Sequence, residues 1–136
     1  MKLVIDANVL FSALIKDSAT RRLIFDEKLE LYAPEYALEE FAEHRGEIMQ
    51  KVGGTGAEFE KVMAVLRSRI TIIPARAFEK HMKKALQVSP DKDDAAYLAV
   101  AFALKGAAIW SNDKKLKEQK RVKAISTSEL LSMLGQ

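Results

Sequence analysis

Cysteine is absent from the 136 residues, so neither a disulfide nor a thiolate-bound metal can hold this chain together. Histidine occurs only at His44 and His81, both read as surface residues, which leaves oxygen as the donor for any bound metal. No apolar run reaches the ~18 residues of a membrane-spanning helix, and no signal peptide precedes the first apolar segment. A soluble, cytoplasmic protein that does not enter membranes is expected. Proline and glycine are scarce, at three and six, and each punctuates the chain where it occurs. There is no internal repeat and no linker-like stretch, so residues 1–136 are read as a single domain, long enough to bury about two-thirds of its unfolded surface. What is present is a globular mixture, 49% hydrophobic and 30% charged. The net charge of +3 points only weakly to a polyanionic partner.

The organising stretch is Lys2-Leu3-Val4-Ile5-Asp6-Ala7-Asn8-Val9-Leu10. Its short aliphatic run reads as a strand buried on both faces, the kind found in parallel sheets. Asp6 stands at the carboxyl end of that strand, where open α/β sheets collect their chemistry. Asn8 reads as the cap of a short apolar helix.

Further along, 18–25 predicts a second short helix capped by Ser18, and 29–33 a strand stopped by Pro34. Pro34 then opens one helix carrying Leu38, Phe41, Ile48 and Met49. The glycine-rich Gly53-Gly54-Thr55-Gly56 is a connector, since it lacks the strand before it and the Gly-Lys-Ser/Thr ending of a phosphate loop. Thr55 and Glu58 would form a capping box for a helix with Phe59, Val62, Met63 and Leu66 inward. Ile70–Ile73 predicts a strand closed by Pro74, and 75–88 a helix with Phe78, Met82, Ala85 and Leu86 inward. Ser89-Pro90-Asp91 reads as a helix start, with serine as cap and proline first. The alanine-rich helix that follows, to Leu104, is apolar nearly all round and therefore central. Ala107–Trp110 predicts a second buried strand ending at Ser111-Asn112-Asp113. A short helix, an edge strand over 121–125 and a helix capped by Ser126 and Glu129 complete the chain. Strands alternating with helices predict a three-layer α/β/α sandwich around a mainly parallel, twisted sheet of about five strands.

Carboxylates carry the chemistry. Asp6 and Asp113 end two buried strands and so share one edge of the sheet. Asp91 and Asp94 lie three apart at the start of the central helix and share a face; Asp93 points about 100° away from Asp94. Glu39 and Glu40 flank the Leu38–Phe41 stripe equally, and periodicity does not choose between them. Two such charges ~4 Å apart repel by about 4 kcal/mol at an effective dielectric near 20. A hard divalent cation relieves that repulsion, and all-oxygen ligation favours Mg²⁺ or Mn²⁺.

Four segments in this order resemble the PIN-domain nucleases, the group that includes the VapC-type toxins of toxin–antitoxin pairs. They are Val4-Ile5-Asp6-Ala7-Asn8-Val9, the acid before Phe41 in 34–41, Asp91-Lys92-Asp93-Asp94-Ala95-Ala96, and Ala108-Ile109-Trp110-Ser111-Asn112-Asp113. The resemblance implies metal-dependent hydrolysis of RNA by water, with Asp6, Glu40, Asp94 and Asp113 as the acidic quartet. By that likeness Asp6, Asp94 and Asp113 hold Mg²⁺ or Mn²⁺, Glu40 completes the pocket, and Asn8, Ser111 and Asp91 support it. Where many toxins of the group carry arginine, this chain has Asn112. A cognate antitoxin and a homodimer are the partners implied. Lys114, Lys115 and Lys117, directly after Asp113, are candidates for the RNA backbone.

Each residue also has a plainer role: Asp6, Asp94 and Asp113 as helix caps or dipole partners, Glu40 as a surface acid, the lysines as a solvated face. Trp110, Tyr97 and Phe102 read as core. Two other functions fit the pattern less well. One is a PIN-like scaffold that binds RNA or protein without cutting. The other is an aspartyl-phosphate phosphotransferase or phosphatase, for which position 8 would be expected to carry a second acid.

Overall fold

Leu3 and Ile5 of the first strand face one apolar cluster and Val4 faces another, and all three are fully buried. That alternation, apolar on both sides, is what a strand in the middle of a covered sheet requires. The computed structural model describes residues 1–15, 18–52, 56–89 and 91–135. Five strands form one sheet: Lys2–Ile5 (β1), Glu30–Pro34 (β2), Ile70–Ile73 (β3), Ala108–Trp110 (β4) and Ala124–Ile125 (β5). Their order is β3-β2-β1-β4-β5, and every neighbouring pair is parallel. β1 is central, with Leu3 opposite Leu31 on one side and Ile5 opposite Trp110 on the other.

Helices cover both faces. On one lie α1 (Ala7–Ile15), α2 (Ser18–Ile24), α3 (Glu35–Glu43), α4 (Arg45–Val52), α5 (Gly56–Arg69) and α10 (Thr127–Met133), bringing Leu14, Leu23, Phe41, Phe59, Met63 and Leu130 into one apolar cluster with Leu3, Ile5 and Trp110. The other face carries α6 (Ala75–Phe78), α7 (Met82–Val88), α8 (Lys92–Leu104) and α9 (Lys114–Glu118). α8 is buried continuously from Ala95 to Ala101, because its alanines let it sit close against the sheet. Among the described residues no helix is long and apolar enough to cross a membrane.

Several sequence expectations change. Asp6, outside the helix, caps α1; Asn8 sits inside its first turn. The helix expected from Pro34 onward breaks at His44, two residues before Gly46, where the His44 ring packs 5.6 Å from Phe11. The helix expected over 75–88 is interrupted by a tight turn at Glu79–His81; its shorter repeat shifts the register, so Ala85 is buried and Leu86 is 40% exposed. Asp91, not Ser89, caps α8. β5 is shorter than expected because the Gln119 side chain takes over the backbone of the preceding loop, accepting from the N–H groups of Arg121 and Val122 and donating to the carbonyls of Leu116 and Val122. The glycine connector, the Thr55–Glu58 capping box, the inward Val62 side chain, the Ser18 cap and the place of Pro90 lie outside the described residues.

Arg69, ending α5, ties the α2–β2 connection by donating to the carbonyls of Ile24 (3.0 Å), Asp26 (3.1 Å) and Leu29 (3.3 Å). Arg69→Ala should therefore destabilise the protein by about 2 kcal/mol in urea unfolding, since charged donors are the stronger ones. A loss below about 0.5 kcal/mol would mean that water replaces the guanidinium without cost.

Candidate active site

The strand order reverses at β1: the chain builds outward through β2 and β3, then crosses back to place β4 on the opposite side. In open α/β sheets such a switch point opens a crevice beyond the carboxyl ends of the two strands. Asp6 follows β1 there, and Ser111 to Asp113 follow β4. The Asp6 N–H donates to the Trp110 carbonyl at 3.0 Å, extending the β1–β4 pairing to the carboxylate itself.

Asp6 is 8% exposed, an unusual position for an acid. Its two oxygens are accounted for: Oδ1 accepts from the Asn8 N–H at 3.3 Å, and Oδ2 accepts from the Ser111 hydroxyl at 2.7 Å. Burial raises the Asp6 pKa above its ordinary value; the Ser111 hydrogen bond opposes this, and the charge of Asp113 adds to it. The fully buried Ser111 oxygen also accepts from the Asp113 N–H at 3.0 Å, so one hydroxyl joins the two strand-end acids. Asp113 caps α9, accepting from the Lys115 N–H at 2.9 Å.

Asp94 enters from the first turn of α8. Burial first, and then the charges of Asp91, Asp113, Asp6 and Asp93, push its carboxyl up to about 6. Asp91 caps the same helix through the Asp93 N–H at 3.0 Å. Asp93 turns away, as its spacing requires, and accepts from the Tyr36 hydroxyl at 2.7 Å. Glu40 comes from α3 and is partly buried, whereas Glu39 is exposed, which resolves the choice periodicity left open. Burial raises the Glu40 pKa, a hydrogen bond from Tyr97 lowers it, and the charge of Asp6 raises it further.

Tyr97 is the residue the sequence did not flag. Its ring lies in the core of α8 as expected, but its hydroxyl donates to Glu40 Oε1 at 3.1 Å and accepts from the Ala7 N–H at 3.3 Å. α8, α3 and the start of α1 are thus joined beside the carboxylates. The one available signal was a phenol three residues after Asp94 on the helix that carries it. Tyr97→Phe should cost about 1–2 kcal/mol in urea unfolding, because it leaves a buried N–H without an acceptor. An unchanged midpoint would show that Ala7 is reached by water.

Of the remaining expected residues, Asn8 is exposed on α1 and Lys114 is exposed on α9. Lys115 lines a cavity with Asp94. Lys117 instead pairs with Glu129, which also closes the capping box of α10 with Ser126.

Among the described residues, Asp6, Glu40, Asp94 and Asp113 have no lysine or arginine partner. Nor do any three histidine or acidic groups there stand close enough to enclose a metal ion on their own. Mg²⁺ is commonly held by only one or two carboxylates together with water and phosphate oxygens. The donor set, oxygen-only and mutually repelling, therefore fits a hard divalent cation without forming a closed cage.

The family described as "PIN domain" matches residues 4–131. A chain in the crystal structure of VapBC2 from Rickettsia felis, bound to a DNA fragment from their promoter, has a similar fold. Its TM-score is 0.68 at 14% identity, covering 93% of this chain and 98% of that one. No curated protein matches the sequence.

Proposed function

The chain belongs to the PIN-domain family, a family of nucleases, and from that premise we propose that it is a Mg²⁺- or Mn²⁺-dependent ribonuclease that cuts phosphodiester bonds with water. The observation carrying the proposal is the uncompensated acidic group at the switch point, where the Ser111 hydroxyl joins Asp6 to Asp113. In this reading Asp6, Asp94 and Asp113 hold the cation, directly or through water. When bound, the cation would polarise the phosphodiester and make its water more acidic. Glu40, fixed by Tyr97, orients the attacking water and accepts its proton, a role suited to a carboxyl whose pKa lies above the ordinary value. Ser111 and Asp91 hold the acids in place, and Lys114 and Lys115 meet the RNA backbone.

The fold shared with a chain of VapBC2 supports extending the proposal to a cognate antitoxin as partner. A homodimer and a place in the cytoplasm are proposed with it from the family resemblance alone. The test is cleavage of end-labelled single-stranded RNA with Mg²⁺, Mn²⁺ or EDTA, using Asp6→Asn as the comparison. Cation-dependent cleavage absent from Asp6→Asn is expected. Equal cleavage by both proteins, or none with either metal, overturns the reading.

A further inference from the structure

Beside Asp94, between the end of α7, the start of α8 and the face of α9, lies a cavity of about 390 Å³. That volume falls within the range of small-ligand sites, about 300–1,000 Å³. Val88 and Leu116 give it apolar wall, and Ser89, Lys115 and Glu118 give it polar groups beyond the acids of the site. Resting on the nuclease reading, we propose that this cavity is a nucleobase subsite for the RNA residue next to the cut bond, and that guanine is its preferred occupant.

Charge decides between phosphate and base. The lining carries three carboxylates, Asp91, Asp94 and Glu118, against one ammonium, Lys115, so a phosphate is repelled and a neutral group that donates hydrogen bonds is favoured. Ionised carboxylates only accept, and they accept two parallel donors well. Guanine presents a ring N–H and an adjacent amino group on one edge, whereas uracil offers a single N–H. Single-stranded RNA is commonly read on such edges while the base plane rests on side chains.

Of the three carboxylates, Asp91 is engaged by the Asp93 N–H and Asp94 belongs to the acidic site, which leaves Glu118 as the reading residue. Glu118 is exposed and makes no hydrogen bond or ion pair among the described residues. The Gln119 amide, by contrast, is consumed by the loop it holds.

The test titrates the full chain with GMP, AMP, CMP and UMP, whose equal charge cancels, and follows backbone amides by NMR without divalent ions. GMP should move Ser89, Leu116 and Glu118 and bind about tenfold tighter than UMP, within the range that a good bidentate pair discriminates. Glu118→Gln should bring the two within about twofold. Equal affinity for all four, shifts elsewhere, a preference surviving Glu118→Gln, or these amides moved by Mg²⁺ and not by GMP, each overturns the subsite. Cleavage mapping with Mn²⁺ separates the two proposals. Cutting without base preference, unchanged in Glu118→Gln, removes the subsite and leaves the nuclease. A GMP preference without cutting in either metal does the reverse.

Discussion

Asp94→Asn should reduce RNA cleavage by at least about a hundredfold and yet raise the melting temperature of the divalent-free protein by about 3–5 °C. Both effects have one origin. The Asp94 carboxyl stands at about 6 because it is partly buried among Asp91, Asp113, Asp6 and Asp93, and holding it ionised costs stability. In a dry site the rise from 3.8 to about 6 would cost about 3 kcal/mol; water reaching the half-buried group screens this to about 1 kcal/mol. The sign with pH follows from linkage. A folded-state pKa above the unfolded one contributes stability that is fully present below the unfolded value and is lost as pH rises through the folded value. The advantage of Asp94→Asn over the wild type should therefore be small near pH 4, grow through pH 6 and level off above it. Asp6 and Glu40 are shifted in the same direction by burial, so they too should weaken the metal-free wild type as pH rises. Added Mg²⁺ should close the gap, because a cation bound only by the folded state adds about 2.7 kcal/mol at a hundred times its dissociation constant. Thermal melts from pH 4 to 8, with and without Mg²⁺, read all of this. A lower melting temperature for Asp94→Asn without divalent ions would instead mark Asp94 as a structural residue.

Asp6, Asp91, Asp94 and Asp113 were legible in the sequence because each sits at a boundary that local chemistry announces. Asp6 and Asp113 end aliphatic runs too short to be anything but buried strands, and the all-parallel sheet puts those ends on one edge. The β1–β4 adjacency was not legible. It depends on which strand crosses over which, and no local signal records that. Periodicity did not separate Glu40 from Glu39; the resemblance pointed to Glu40, and in the fold it is Glu40 that is partly buried and meets Tyr97, a partner 57 residues away that no periodicity reaches. The broken helices failed for a related reason. Apolar spacing over 35–49 and 75–88 is nearly continuous, so the pattern does not register the break at His44 or the tight turn at Glu79–His81. The cap assignments erred by a few residues because an aspartate just before a helix competes with any nearby serine or asparagine for the same backbone N–H groups. In both cases the winning cap, Asp6 or Asp91, is also an acid of the candidate site. The residue types that start these helices and those that would hold a cation are the same, and the sequence cannot separate the roles.

Ser111→Ala should separate them. Its hydroxyl donates to Asp6 Oδ2 and accepts from the Asp113 N–H, and nothing in alanine replaces either bond. Asp6 would lose the largest influence holding its pKa down, so its carboxyl should rise further and bind a cation less well at neutral pH. Outer-shell partners of this kind are worth about 10–100-fold in metal affinity, and calorimetric titration with Mn²⁺ should show a loss in that range that shrinks as pH is raised. The Asp113 N–H, left without its acceptor, should cost about 1–2 kcal/mol of stability at every pH. A double-mutant cycle with Asp6→Asn isolates the part acting through Asp6. In the Asp6→Asn background, position 6 no longer titrates, so Ser111→Ala should keep its stability cost while its effect on Mn²⁺ affinity falls to within about twofold. An affinity loss of equal size in both backgrounds would mean that Ser111 acts by placing Asp113 alone. No loss in either would remove the serine, and the link between the two strand ends, from the metal site.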